Sequence, residues 1–95
     1  MHLQLTGAVW FWRGPAPFHF VTVPADVSAT IKAASGLVTY GWGMIPAEVS
    51  IGSTTWTTSL WPKDGGYVVP LKDVVRRAEG IEVDDTVTVH LSIAV

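Results

Sequence analysis

Residues 54–80 read TTWTTSLWPKDGGYVVPLKDVVRRAEG, and this stretch decides the fold. Its spacing predicts a strand, a sharp turn over Pro62-Lys63-Asp64-Gly65-Gly66, a short strand over Tyr67-Val68-Val69, a helix opened by Pro70 and a stop at Gly80. Proline fixes one backbone angle and the glycines allow positive φ, so the turn has a local cause. Proline at a first helical turn loses no hydrogen bond, and glycine after the last turn is the commonest stop. In that helix Val74, Val75 and Ala78 are expected inward and Lys72, Arg76 and Arg77 toward solvent.

The segment before it supplies the partner strand. Gly52-Ser53 suits a two-residue type II′ turn, which pairs Ile51 with Thr54, Val49 with Trp56, Ala47 with Thr58 and Ile45 with Leu60. All eight share one face. Glu48, Ser50, Thr55, Thr57 and Ser59 share the other, so this register separates core from solvent without tertiary information. At the open end it pairs Met44 with Trp61 and sends Trp61 to the face opposite Trp56.

Outward from the hairpin the chain alternates in the same way. Leu3, Leu5, Gly7, Val9 and Phe11 form one parity of a strand whose other parity turns from Gln4 and Thr6 to Trp10 and Trp12. Arg13-Gly14-Pro15-Ala16-Pro17 must turn, because two prolines remove ladder donors. A strand over Phe18–Val23 follows, then a helix from Pro24 with Val27, Ile31 and Ala34 as its apolar stripe, ended by Ser35-Gly36. Gly41 and Gly43 break the β-branched run 37–43 and predict a bend or bulge. After a turn at Asp84-Asp85, Val87, Val89, Leu91, Ile93 and Val95 alternate with Thr86, Thr88, His90, Ser92 and Ala94 in a half-buried strand.

Val21-Thr22-Val23-Pro24, helix and Gly36 recur as Tyr67-Val68-Val69-Pro70, helix and Gly80. Two such units predict a mainly β fold: a small antiparallel barrel with pseudo-twofold symmetry and two short helices, each half supplying a helix that closes one end.

Composition narrows the function classes. Ninety-five residues make a single domain, 1–95, which buries only about two-thirds of its unfolded surface, so its one core must be fully used. The chain is 48% hydrophobic and only 15% charged, against roughly 25% charged in an average soluble domain, so apolar surface is left to expose or pair. Six Lys and Arg at net charge −2 provide no basic field for nucleic acid. The absence of cysteine removes disulfides, thiolate metal sites and a cysteine nucleophile. No segment approaches the ~20 apolar residues of a membrane span, and the N-terminus has no cationic leader; the expectation is a soluble, cytoplasmic protein with no membrane or nucleic-acid partner.

Gly41-Trp42-Gly43-Met44-Ile45-Pro46, Trp56-Thr57-Thr58-Ser59-Leu60, Pro62-Lys63-Asp64-Gly65, Tyr67, Pro70, Lys72, Val75-Arg76 and Asp85 together resemble the family described as domain of unknown function 1905, over nearly the whole chain. The resemblance implies a barrel related in shape to the swapped-hairpin barrels of transition-state regulators and antitoxins, and no established activity. In some relatives the domain is fused to one linked with bacteriocin protection. The chain departs from the family pattern at Trp61, where Phe is usual, at Asp84, where Gly is usual, and at Ala47, where a larger aliphatic is usual. Ala47 is expected to leave space beside Trp56.

Reaction chemistry is sparse. Thr57, Thr58 and Ser59 have no His or carboxylate nearby to act as base. His2, His19 and His90 have no metal-ligand spacing, and Asp64 and Asp84-Asp85 are turn residues without enough oxygen ligands for a hard cation. No catalytic residue, metal site or cofactor is expected; an enzyme using His90 or Asp26 as a lone acid or base in an apolar pocket ranks below a binding role. Binding chemistry is richer. Trp10, Trp12, Trp42, Trp56 and Trp61 form an aromatic set, and Lys63, Lys72, Arg76 and Arg77 offer donors for a small anion. An aromatic surface on a charge-poor protein points to a site or an interface. The expected ligand is an apolar or weakly anionic small molecule; the alternative is a homodimer through the same residues.

Overall fold

The computed structural model describes residues 1–37 and 43–94. β1 (His2–Trp12), β2 (Phe18–Thr22), α1 (Ala25–Ala34), β3 (Ile45–Ile51), β4 (Thr54–Lys63), β5 (Gly66–Leu71), α2 (Asp73–Glu79) and β6 (Thr86–Ser92) follow in order. The strands close into one antiparallel barrel, β1-β2-β5-β4-β3-β6. The bend expected over 37–43, with Gly41 and Trp42, falls on residues 38–42 outside the described residues, as does Val95.

The hairpin register is the one the sequence dictates: Ile51 opposes Thr54, Val49 opposes Trp56, Ala47 opposes Thr58 and Ile45 opposes Leu60. Gly52 takes φ 57° while Ser53 does not turn positive, as a type II′ turn requires. Ser50 and Thr55 join hydroxyls at 2.9 Å on the outer face. Inside, Leu5, Val9, Val21, Ile45, Val49, Trp56, Leu60, Val69, Val89 and Leu91 form one contiguous core, with Ile31 of α1 and Val75 of α2 packed into it.

The strand order is unchanged when β1, β2 and β3 are exchanged with β4, β5 and β6, which is the expected pseudo-twofold relation. β3 pairs with β4 and β6 of the second half, while β6 pairs with β1 and β3 of the first. Each half thus lends its third strand to the other, the swapped arrangement. The halves meet at β2 and β5, where Val21 opposes Val69.

Three expectations are corrected. β4 runs on through Trp61, Pro62 and Lys63, which oppose Val68, Tyr67 and Gly66, so the turn is only Asp64-Gly65. Both residues have positive φ, 51° and 80°, the type I′ geometry that Asp-Gly favours. Trp61 thus pairs with Val68 of β5, while on the other side of β4 the β3 register runs from Ile51–Thr54 to Ile45–Leu60. Pro70 does not open α2; it is a buried strand residue opposite Phe20. The β4 ladder ends at Val68, so β5 at Pro70 is paired on one side and tolerates the missing donor. The helix starts after Lys72, which is the true counterpart of Pro24 as the capping position. In α2 only Val75 points inward, while Val74 and Ala78 are exposed. Seven residues make two turns, whose inner stripe has room for little more than one large side chain. Gly80 at φ 64° ends it, and the Ile81 amide donates back to the Arg76 carbonyl at 2.9 Å.

Candidate functional site

The parity of β1 that carries Trp10 and Trp12 faces away from the barrel core, and three further strands bring apolar residues to the same outer surface. Phe20 opposes Trp10 on one side and Pro70 on the other. Val68 opposes Trp61 on one side and Thr22 on the other. The outer face of β1-β2-β5-β4 therefore carries two apolar rows that run in opposite senses across the sheet.

Phe20 is only 2% exposed and Val68 is equally buried, yet neither belongs to the contiguous core inside the barrel. Their cover is aromatic. The Phe20 ring lies 5.2 Å from Trp10, 5.7 Å from Phe18 and 5.3 Å from Trp61, centroid to centroid, all tilted as ring quadrupoles prefer. Trp10 is held in place by its Nε1, which donates to Thr22 Oγ1 at 2.9 Å. Trp12 and Trp61 remain 41% and 37% exposed at the rim. A Cβ on Gly14 would collide with the Trp12 indole, so glycine there lets the ring lie back over the chain.

Between these rings is a cleft of ≈ 170 Å³ with Trp10, Trp12 and Trp61 as walls and Phe20 and Val68 beneath; Pro62 and Lys63 complete it. Lys63 Nζ stands 5.9 Å from the Trp10 ring centroid, a cation over an aromatic face. It also meets the Asp64 carboxylate at 3.4 Å. A larger cleft of ≈ 460 Å³ shares Lys63 and Val68 and runs toward the first turn of α1. Its walls mix small residues, Ala25, Ala29, Gly65 and Gly66, with Lys32, Asp64 and Tyr67, and it lacks the ring of tryptophans that lines the smaller cleft.

The structure thus brings together Trp10, Trp12, Trp61 and Lys63. Trp56 is separate: it is buried in the core opposite Val49, and among the described residues its Nε1 has no hydrogen-bond partner. The ≈ 320 Å³ depression that reaches Ala47 is lined by Pro46, Glu48, Thr57 and Thr58, not by Trp56, so the space expected beside that ring is not where the surface opens. Trp42 lies outside the described residues. Lys72 is exposed at the start of α2, and Arg76 binds Asp73 Oδ1 at 2.9 Å. Neither lines the aromatic cleft.

Arg76 instead influences His19, whose imidazole packs 4.6 Å from the Phe11 ring. Burial, and then the positive charge of Arg76, hold the His19 pKa below its ordinary value, with Asp73 opposing in part. The Asp73 carboxyl is lowered mainly by its hydrogen bond from Arg76. Among the described residues no three His, Asp or Glu side chains gather as metal ligands, and no helix is long and apolar enough to cross a membrane.

Phe20, Pro62 and Val68 belong to the cleft although sequence reasoning did not single them out. A signal was present. Phe18-His19-Phe20-Val21 and Tyr67-Val68-Val69-Pro70-Leu71 are apolar on both parities, the pattern of strands covered on two faces.

A family model for domain of unknown function 1905 matches residues 6–91. The chain belongs to that DUF1905 family. The match begins within β1 and ends within β6, and includes every residue of the cleft. No curated protein matches the chain significantly. Asp84, where the resemblance leads one to expect Gly, adopts φ 74°, the left-handed region that glycine enters without cost.

Proposed function

We propose that this DUF1905 domain is a binding module whose outer aromatic cleft takes a small apolar or weakly anionic molecule. The observation that carries the reading is the position of Phe20. A ring turned out of the barrel yet almost fully buried needs a dedicated cover, and Trp10 and Trp61 supply it while leaving an apolar cleft between them. Ligand sites are concave and mostly apolar with few polar groups, and Lys63 is the charged one here. The test is tryptophan emission and indole N–H resonances during titration with single-ring compounds, in the wild type and in Trp61→Ala. Saturable shifts that vanish in the variant are expected; an unchanged spectrum up to millimolar ligand would sink the reading.

The exposure of Trp12 and Trp61 favours one second reading, a homodimer formed through the same face. Light scattering separates the two. A mass that doubles with concentration and falls back in Trp61→Ala supports the dimer, and a constant monomer removes it.

A further inference from the structure

We infer that the ligand of this cleft is a flat, single-ring aromatic molecule carrying one anionic group, with the ring between Trp10 and Trp61 and the anion on Lys63. This rests on the cleft being a binding site and adds what it selects.

Size comes first. The cleft holds ≈ 170 Å³, close to the roughly 150 Å³ apolar cavity that accommodates benzene. It is well short of the roughly 300–1,000 Å³ typical of drug-sized ligands. One ring and a short substituent fill it. Shape agrees, because Trp10 and Trp61 each lie just over 5 Å from the Phe20 ring and all three line the cleft. A planar ring there gains the offset and tilted contacts that aromatic pairs prefer.

Charge comes from Lys63. Three tryptophan faces would ordinarily suit a cation. In this cleft the cation is already supplied, since the Lys63 ammonium stands over Trp10, and a second positive charge in the same small volume would be repelled. An anion would instead meet an ammonium whose present partner is weakly held. Lys63 and Asp64 are 48% and 86% exposed, and pairs so open to water contribute little. An ammonium has three donors, so a carboxylate can join or replace Asp64.

Calorimetry and indole N–H shifts with benzoate, benzamide and benzyltrimethylammonium test the assignment. Benzoate should bind roughly two- to fivefold more tightly than benzamide, the range of an exposed ion pair, and salt should erase the difference. Lys63→Gln should equalise the two, and Asp64→Asn, which keeps a residue tolerant of φ 51°, should widen the gap. Equal affinity for benzoate and benzamide in the wild type, or tightest binding by the ammonium, would overturn the anion assignment while leaving the cleft a binding site. Binding that persists in Trp61→Ala, or no binding by any of the three, would overturn the cleft reading itself.

Discussion

Trp10 and Trp61 occupy equivalent places in the two halves of the barrel. Each is the cross-strand partner of a buried, outward-facing residue in the next strand, Phe20 for Trp10 and Val68 for Trp61. Exchanging the halves carries β1 onto β4 and β2 onto β5, and with them one pair onto the other. The aromatic cleft thus straddles the pseudo-twofold relation. Its two walls are not alike in setting: Trp10 is tied to Thr22, while Trp61 stands at the rim beside Pro62 and Lys63.

Phe20 should matter to stability as a core residue does. Phe20→Ala is expected to cost about 3–5 kcal/mol, the range for a buried phenylalanine. Trp12→Ala, at 41% exposure, should cost less than about 1 kcal/mol. Urea denaturation of both variants checks the contrast, and similar midpoints would mean that the outer cluster is not a true second core.

Gly14→Ala separates the cleft from the fold. The added methyl meets the far end of the Trp12 indole, not a strand backbone, so the ring is displaced while the barrel stays closed. The expected result is a melting temperature within a few degrees of the wild type and weaker binding of single-ring ligands. Unaltered affinity would show that Trp12 contributes nothing to the wall.

Glu79 ties the end of α2 to the β3–β4 turn. Its carboxylate accepts from the hydroxyls of Ser53 and Thr54 and lies against Gly52, where a side chain would collide with it. Glu79→Ala should cost about 1–2 kcal/mol by removing these charge-assisted bonds. Gly52→Ala should cost more than its left-handed φ alone, about 1–2 kcal/mol, and pairing it with Glu79→Ala should recover part of the loss. A strictly additive double mutant would rule out the contact.

Stability should fall as the pH drops below 6.5. His19 has a folded pKa depressed from 6.5 by burial and by Arg76. Below 6.5 the unfolded chain therefore takes up the proton first, and stability declines until the folded pKa is passed. Asp73 acts in the same direction at lower pH, its contribution present above 3.8 and lost as the pH falls further. Denaturant midpoints measured from about pH 7.5 to pH 5 should decline in the wild type and decline less in His19→Gln. Equal slopes would remove His19 as the cause.

Asp84→Gly is expected to stabilise the domain by up to about 1 kcal/mol. Glycine relieves a left-handed residue at φ 74°, partly offset by the greater freedom of the unfolded chain. Thermal melting decides it, and a lower melting temperature would mean that the carboxylate contributes more than the strain costs.

The sequence alone determined the hairpin from Ile45 to Leu60, because a two-residue turn at Gly52-Ser53 and a period-two pattern admit one register that puts Ile45, Ala47, Val49, Ile51, Trp56 and Leu60 on one face. It determined the barrel class, the number of helices and the inward course of Trp56 by the same local rules. It misplaced the β4–β5 turn and the start of α2, where two prolines sit inside strands that only their neighbours make tolerable. Pro70 is buried opposite Phe20, and Pro62 opposes Tyr67.

The cleft was decided by tertiary structure. Trp10, Phe20, Trp61 and Val68 come from four strands that no local rule places side by side, and parity says only that a side chain points out. Outward became buried when closure of the barrel laid β2 against β5 and set Phe20 within ring contact of both tryptophans. Alternation fixes the face of a single strand; only the order of strands around a closed sheet fixes what that face meets.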